Sequence, residues 1–150
     1  MRTKMAEGLV TGYYSFDEQH RELIDLIDDF CSGITAKRRK GEIVMAMEFL
    51  DNYFTAHMNN EEIVMQKHNY PDYDRHKAEH DLFKKSFASY KSEIITCERI
   101  EDWAGEEGLK SLLMVVHGKH IKTEDIELAN FVNVKARDSY LTTRFTGLGA

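Results

Sequence analysis

The stretch 75–94, RHKAEHDLFKKSFASYKSEI, sets His76, His80, Phe83, Phe87, Tyr90 and Ile94 at steps of four, three, four, three and four. A helix completes a turn in 3.6 residues, so this alternation keeps all six side chains on one face. Two imidazoles therefore share the stripe that an amphipathic helix buries. The same coincidence recurs three more times. A first helix over about 17–37 lines up His20, Leu23, Ile24, Ile27, Phe30 and Ile34. A second over about 42–68 carries Met47, Leu50, Tyr53, Phe54, His57, Glu61, Val64 and Met65, and His68 closes it. A fourth over about 107–134 carries Leu109, Leu112, Leu113, Val116 and His120, then Asp125, Leu128 and Val132. Between the second and third helices, Pro71 restricts Tyr70, and Asp72 or Asp74 can cap the helix that follows.

Four helices with short connections and one apolar stripe apiece bury those stripes most simply as an all-α, up-down-up-down four-helix bundle. A chain of 150 residues, 42% hydrophobic, suffices for one such core, so a single domain is expected. A single proline and 9 glycines leave too few breakers for an all-β chain. Residues 1–16, with Tyr13, Tyr14 and Phe16, read as an N-terminal arm packed on a bundle of about 17–134. Residues 135–150 read as a short C-terminal extension.

Charge and cysteine usage exclude several functions. With 26 acidic against 20 basic residues, the net charge of -6 disfavours nucleic acid, which needs a basic face. The run Lys37-Arg38-Arg39-Lys40 reads as a solvated interhelix loop. Cys31 and Cys97 form no CxxC and suit reduced thiols of a cytoplasmic protein. No apolar run spans a membrane and no signal-peptide pattern is present.

The buried stripes also carry metal-binding chemistry. Residues four apart on a helix face a common point, so His57 with Glu61, and His76 with His80, each form a two-residue clamp. His20 adds an imidazole from the first helix. His120 and Asp125 are five apart, about 140° around an ideal helix, whereas Glu124 shares a face with His120. The apolar stripe slips at the same place, and a one-residue π-type bulge near 121–124 would bring Asp125 inward. Asp125 is favoured and Glu124 stays the rival. Imidazoles suit iron, zinc, copper or nickel, and carboxylates can bridge two ions. Two octahedral ions offer about twelve positions; five imidazoles, two bridging carboxylates and a bridging hydroxide fill about eleven. The position left open suits a small diatomic ligand. Glu62 is expected to face solvent, and His117 to be an interfacial residue or an outer partner of the site.

Taken together, Phe16-Asp17-Glu18-Gln19-His20, His57-Met58-Asn59-Asn60-Glu61-Glu62, Tyr70-Pro71 before His76-Lys77-Ala78-Glu79-His80, and His120-Ile121 with Asp125 resemble the hemerythrin family, in particular its bacteriohemerythrin branch. The resemblance covers about 10–132. It implies two iron ions with a bridging oxo or hydroxo group, and reversible binding of dioxygen rather than catalysis. In that pattern His76, His80 and His120 hold one iron, His20 and His57 hold the other, and Glu61 and Asp125 bridge them. Dioxygen binds at the iron with two histidines. The chain departs from the family in two places. Val116 stands where a tryptophan often precedes the fourth-helix histidine, and the usual tryptophan of the arm is missing; Trp103 lies in the loop before the fourth helix. Leu23, Ile24, Tyr53, Phe54, Phe83 and Val116 are the expected ligand pocket.

Other functions leave weaker traces. Ferritin-like di-iron sites need Glu-x-x-His pairs, and no glutamate here stands three before a histidine. His-Glu-x-x-His and glycine-rich phosphate loops are absent. A di-iron oxidase, peroxidase or nitric-oxide-handling protein is one alternative. A sensory domain that signals oxygen or redox state to a protein partner through 135–150 is another.

Overall fold

The computed structural model describes residues 7–36 and 38–146; residues 1–6 of the expected arm, Lys37, 147–150 of the expected extension, and the side chains of Glu7, His117 and 140–146 lie outside what it describes. The helices are α1 (Tyr14–Thr35), α2 (Lys40–Lys67), α3 (Tyr73–Thr96), α4 (Glu106–Met114) and α5 (Ile126–Thr146). A π-helical segment, Val115–Asp125, joins α4 to α5, so the last three form one continuous fourth rod. α1 packs on α2, α2 on α3, α3 on α4, and α4 back on α1, which closes the ring of an all-α four-helix bundle. No strand occurs among the described residues, and no helix is long and apolar enough to cross a membrane.

Each helix buries its sequence stripe. Leu23, Ile27, Phe30, Met47, Leu50, Phe54, Phe83, Phe87, Leu109 and Leu113 fill one apolar cluster. Phe16, Val64, Met65, Tyr70, Leu128, Ala129 and Val132 fill a second. Between them in the order of every helix come the polar residues: His20 after Phe16, His57 and Glu61 before Val64, His76 and His80 before Phe83, His120 and Asp125 before Leu128. The polar layer is thus enclosed at both ends by hydrocarbon. Phe54 packs edge-on against Phe83 at 4.5 Å and against Phe87 at 5.6 Å, which floors the layer on one side.

Local signals explain the helix ends. α2 stops because Asn69 turns left-handed at φ 52°, a conformation asparagine tolerates. The Tyr70 N–H then donates to the Met65 carbonyl at 2.9 Å and the Asn69 N–H to Gln66 at 3.2 Å, a Schellman closure with Tyr70 and Met65 in apolar contact. The Lys135 ammonium donates to the His68 carbonyl at 2.6 Å, so a distant lysine sets a cation at the C-terminal end of α2. Asp72 occupies the N-cap of α3 without a side-chain cap bond and turns toward Arg75 at 3.5 Å instead.

At the N-terminus, α1 starts at Tyr14, three residues ahead of the expected boundary. Its Asp17 side chain folds the preceding loop back by accepting from Thr11 N–H at 2.8 Å, Thr11 hydroxyl at 2.7 Å and Gly12 N–H at 3.1 Å. Gly12, at φ 79°, makes the turn. At the other end, the helix passes 135 without a break and runs to Thr146, and residues 133–139 are exposed.

Candidate metal centre

The π segment follows from its residues. Val115, Val116, Ile121 and Thr123 are β-branched, and Gly118 has no side chain, so the α-helical register is weakly held. The Thr123 hydroxyl donates back to the Lys119 carbonyl at 2.9 Å, which competes with the regular backbone ladder. In the i to i+5 pattern, His120 and Asp125 fall on one face. The sequence slip is real, but it spreads over an 11-residue segment rather than one residue near 121–124.

Four helices bring His20, His57, Glu61, His76, His80, His120 and Asp125 into the one polar layer, all buried. They form two overlapping groups that could each hold a metal ion. One is Glu61, His76, His80, His120 and Asp125; the other is His20, His57, Glu61 and Asp125. Both carboxylates belong to both groups. Glu61 Oε1 lies 2.9 Å from His57 Nε2, while its Oε2 lies 3.0 Å from His80 Nε2 and 3.3 Å from His76 Nε2. Asp125 Oδ2 lies 2.8 Å from His20 Nε2, and its Oδ1 lies 3.0 Å from His120 Nε2 and 3.3 Å from His76 Nε2. Each carboxylate therefore turns one oxygen toward a two-histidine side and the other toward a three-histidine side.

These contacts have hydrogen-bond distances without hydrogen-bond alignment. All four carboxylate oxygens are buried with no properly directed donor, as are both ring nitrogens of His76. Buried groups left in this state cost about 1–3 kcal/mol each. Converging lone pairs of nitrogen and oxygen fit cations placed between them, so the donor set suits a bound metal pair.

Outer partners aim the rings. His57 Nδ1 donates to Gln19 Oε1 at 2.9 Å, His80 Nδ1 to Glu62 Oε1 at 3.1 Å, and His120 Nδ1 to Glu79 Oε2 at 2.9 Å. Each acceptor places the proton on Nδ1 and leaves the Nε2 lone pair facing inward. Glu62 is thus not a solvent-facing bystander: it holds His80 from outside and is only 15% exposed. Gln19 and Glu79 went unremarked in the sequence, where only their positions beside His20 and His80 hint at a role. Glu124 points away from the layer and pairs with Arg75, whose Nη1 donates to both its oxygens.

Electrostatics tie the seven together. Burial pushes the His57 ring toward neutrality, but Glu61 and Asp125 outweigh it and hold the proton up to about 10. His76 is balanced the same way, up to about 9. Burial and Asp125 both push the Glu61 carboxyl up, yet the imidazoles of His57 and His20 hold it well below the usual carboxylate range. Burial likewise raises Asp125, and His120, His20 and His57 reverse it. A cation entering the layer displaces these protons.

Of the expected pocket residues, Leu23, Phe54, Phe83 and Val116 lie in the larger apolar cluster, and Ile24 packs with Leu9 and Ile121. Tyr53 is partly buried and its hydroxyl bonds Glu22 at the surface. A cleft of about 400 Å³ opens between α3 and the π segment, walled by Phe83, Leu112 and Val116 and reaching His80 and His120.

The family described as Hemerythrin HHE cation binding domain matches residues 11–132, which include all seven residues. A bacteriohemerythrin of Methylococcus capsulatus is 30% identical over 96 residues, covering 58% of this chain and 72% of that protein. A bacteriohemerythrin of Stenotrophomonas maltophilia is 28% identical over 126 residues, covering 84% of this chain and 78% of that protein. With this match across most of its length, the chain belongs to the hemerythrin family, in its bacteriohemerythrin branch.

Proposed function

We propose that the seven residues hold two iron ions and that the pair binds dioxygen reversibly, as a carrier, store or sensor. The observation that carries this reading is the sharing of both carboxylates by two unequal groups of histidines. His76, His80 and His120 crowd one metal position, while His20 and His57 leave the other less filled, so an exogenous ligand has a side to bind. When bound there, a ferrous pair would supply the two electrons that reversible dioxygen binding needs. The residues do the rest. Glu61 and Asp125 would each offer one oxygen to either metal position, and Gln19, Glu62 and Glu79 hold the rings from outside. Phe54, Phe83 and Leu23 keep the surroundings apolar, which slows the escape of charged products. The two free thiols, Cys31 and Cys97, suit a reducing cytoplasmic setting.

A second reading is favoured by the cleft beside Val116. Where the family often has a tryptophan, this opening brings solvent close to His80 and His120, which would suit a di-iron oxidase, peroxidase or nitric-oxide-handling protein. An oxygen electrode separates the two. With the iron-loaded protein and excess reductant, a reversible binder takes up about one dioxygen per chain and stops. Sustained consumption over many equivalents would establish the oxidase.

A further inference from the structure

Arg75 stands one residue before His76, and Glu124 one residue before Asp125. Inside the bundle, His76 Nε2 lies 3.3 Å from Asp125 Oδ1. Beside that contact, Arg75 Nη1 donates to Glu124 Oε1 at 2.6 Å and Oε2 at 2.7 Å. α3 and the π segment are therefore joined by adjacent rungs, one facing the metal layer and one facing the rim. Glu124 is 7% exposed, so its charge needs this guanidinium. Arg75 also reaches Glu79 at 4.0 Å, the residue that accepts from His120 Nδ1. Its Nη2 approaches Asp72 at 3.5 Å and Glu127 at 3.6 Å. One side chain thus connects the π segment to the outer edge of the last histidine.

The connection answers a problem of register. In a regular α-helix, Glu124 and not Asp125 would share a face with His120. Residues 115–125 have little intrinsic preference between the two windings, and two neighbouring carboxylates compete for one inward position. We propose that Arg75 is a positioning residue: by clamping Glu124 at the rim it holds the π register and presents Asp125 as the one carboxylate this segment gives to the metals. This rests on the two-iron reading of the site.

The test uses the full chain, loaded with ferrous iron under argon. Iron per chain, the rate of iron release to a chelator and far-ultraviolet circular dichroism are measured for wild type, Arg75→Gln, Arg75→Lys, Glu124→Gln, Asp125→Asn and the Arg75→Gln/Asp125→Asn pair. Arg75→Gln and Glu124→Gln should keep wild-type helicity yet release iron roughly ten-fold faster or more, the range seen when outer partners of a metal ligand are lost. Arg75→Lys, which keeps the charge without the planar fork, should fall between. Asp125→Asn should retain about one iron, and adding Arg75→Gln should raise that number as Glu124 is freed to turn inward. Glu124→Gln removes the clamp without stranding a buried charge, so it serves if Arg75→Gln does not fold. Wild-type release rates in the folded clamp variants, or no recovery in the double variant, would overturn the proposal. Failure of the wild-type chain to hold two irons would overturn the underlying reading instead.

Discussion

At the residue scale, Glu61 and Asp125 do what no histidine can: each presents one oxygen to either side of the layer. If both bridge, Asp125→Asn should lower iron from about two to about one per chain, and Glu124→Gln should leave the count unchanged. Elemental analysis decides it, and the opposite pattern would make Glu124 the ligand. The same residues set the pH response of the metal-free protein. His57 and His76, held up to about 10 and about 9, contribute stability that is complete below their ordinary value of about 6.5. That contribution is lost as pH rises through the folded values. Glu61 and Asp125, held well below their usual range, contribute above about pH 4 and lose it in acid. The metal-free protein should therefore be most stable between about pH 4.5 and 6.5. Metal binding needs neutral imidazoles, so the gain in melting temperature on loading should widen from about pH 6 to pH 9; a narrowing would contradict the site. The inward residues were legible because periodicity places them on buried stripes. Gln19, Glu79 and Arg75 were not, because their partners lie on other helices and no spacing within one helix reveals them.

At the element scale, the fourth rod departs from a plain helix over Val115–Asp125, where His120 and Asp125, five residues apart, reach the same layer. The slip in the apolar stripe announced a π turn of one residue, and the observed winding spans Val115–Asp125, because a slip marks where the register changes and not how far the new winding runs. Val116 faces the cleft in this segment. Val116→Trp should narrow the opening and slow spontaneous oxidation of the ferrous form several-fold, read as the decay of the oxygenated spectrum; an unchanged rate would show that solvent enters elsewhere. The end of α2 was legible in part: Asn69 signals a left-handed cap, whereas Lys135, a distant lysine, does not. The helices themselves hold together through their aromatic floor. Phe54, fully buried between Phe83 and Phe87, should cost about 3–5 kcal/mol when replaced by alanine, measured by chemical denaturation of the metal-free protein.

At the scale of the whole molecule, the bundle encloses a layer of buried polar groups between two apolar clusters, so a cation that binds there binds the folded state alone. Iron at a thousand times its dissociation constant should add about 4 kcal/mol for each site filled, seen as a higher melting temperature. The up-down-up-down bundle was legible from four stripes and short connections, since no other packing buries all of them so simply. The extent of the last helix was not, because residues 135–139 carry no stripe to mark it; they are exposed and continue the rod. The central claim, reversible oxygen binding at a two-iron centre, is tested most directly by the visible spectrum of the reduced, iron-loaded protein, cycled between argon and air with iron counted per chain. A charge-transfer band that appears in air and disappears under argon over repeated cycles, with about two irons per chain, is the predicted result. A single, irreversible change to the oxidised spectrum on first contact with air would contradict it.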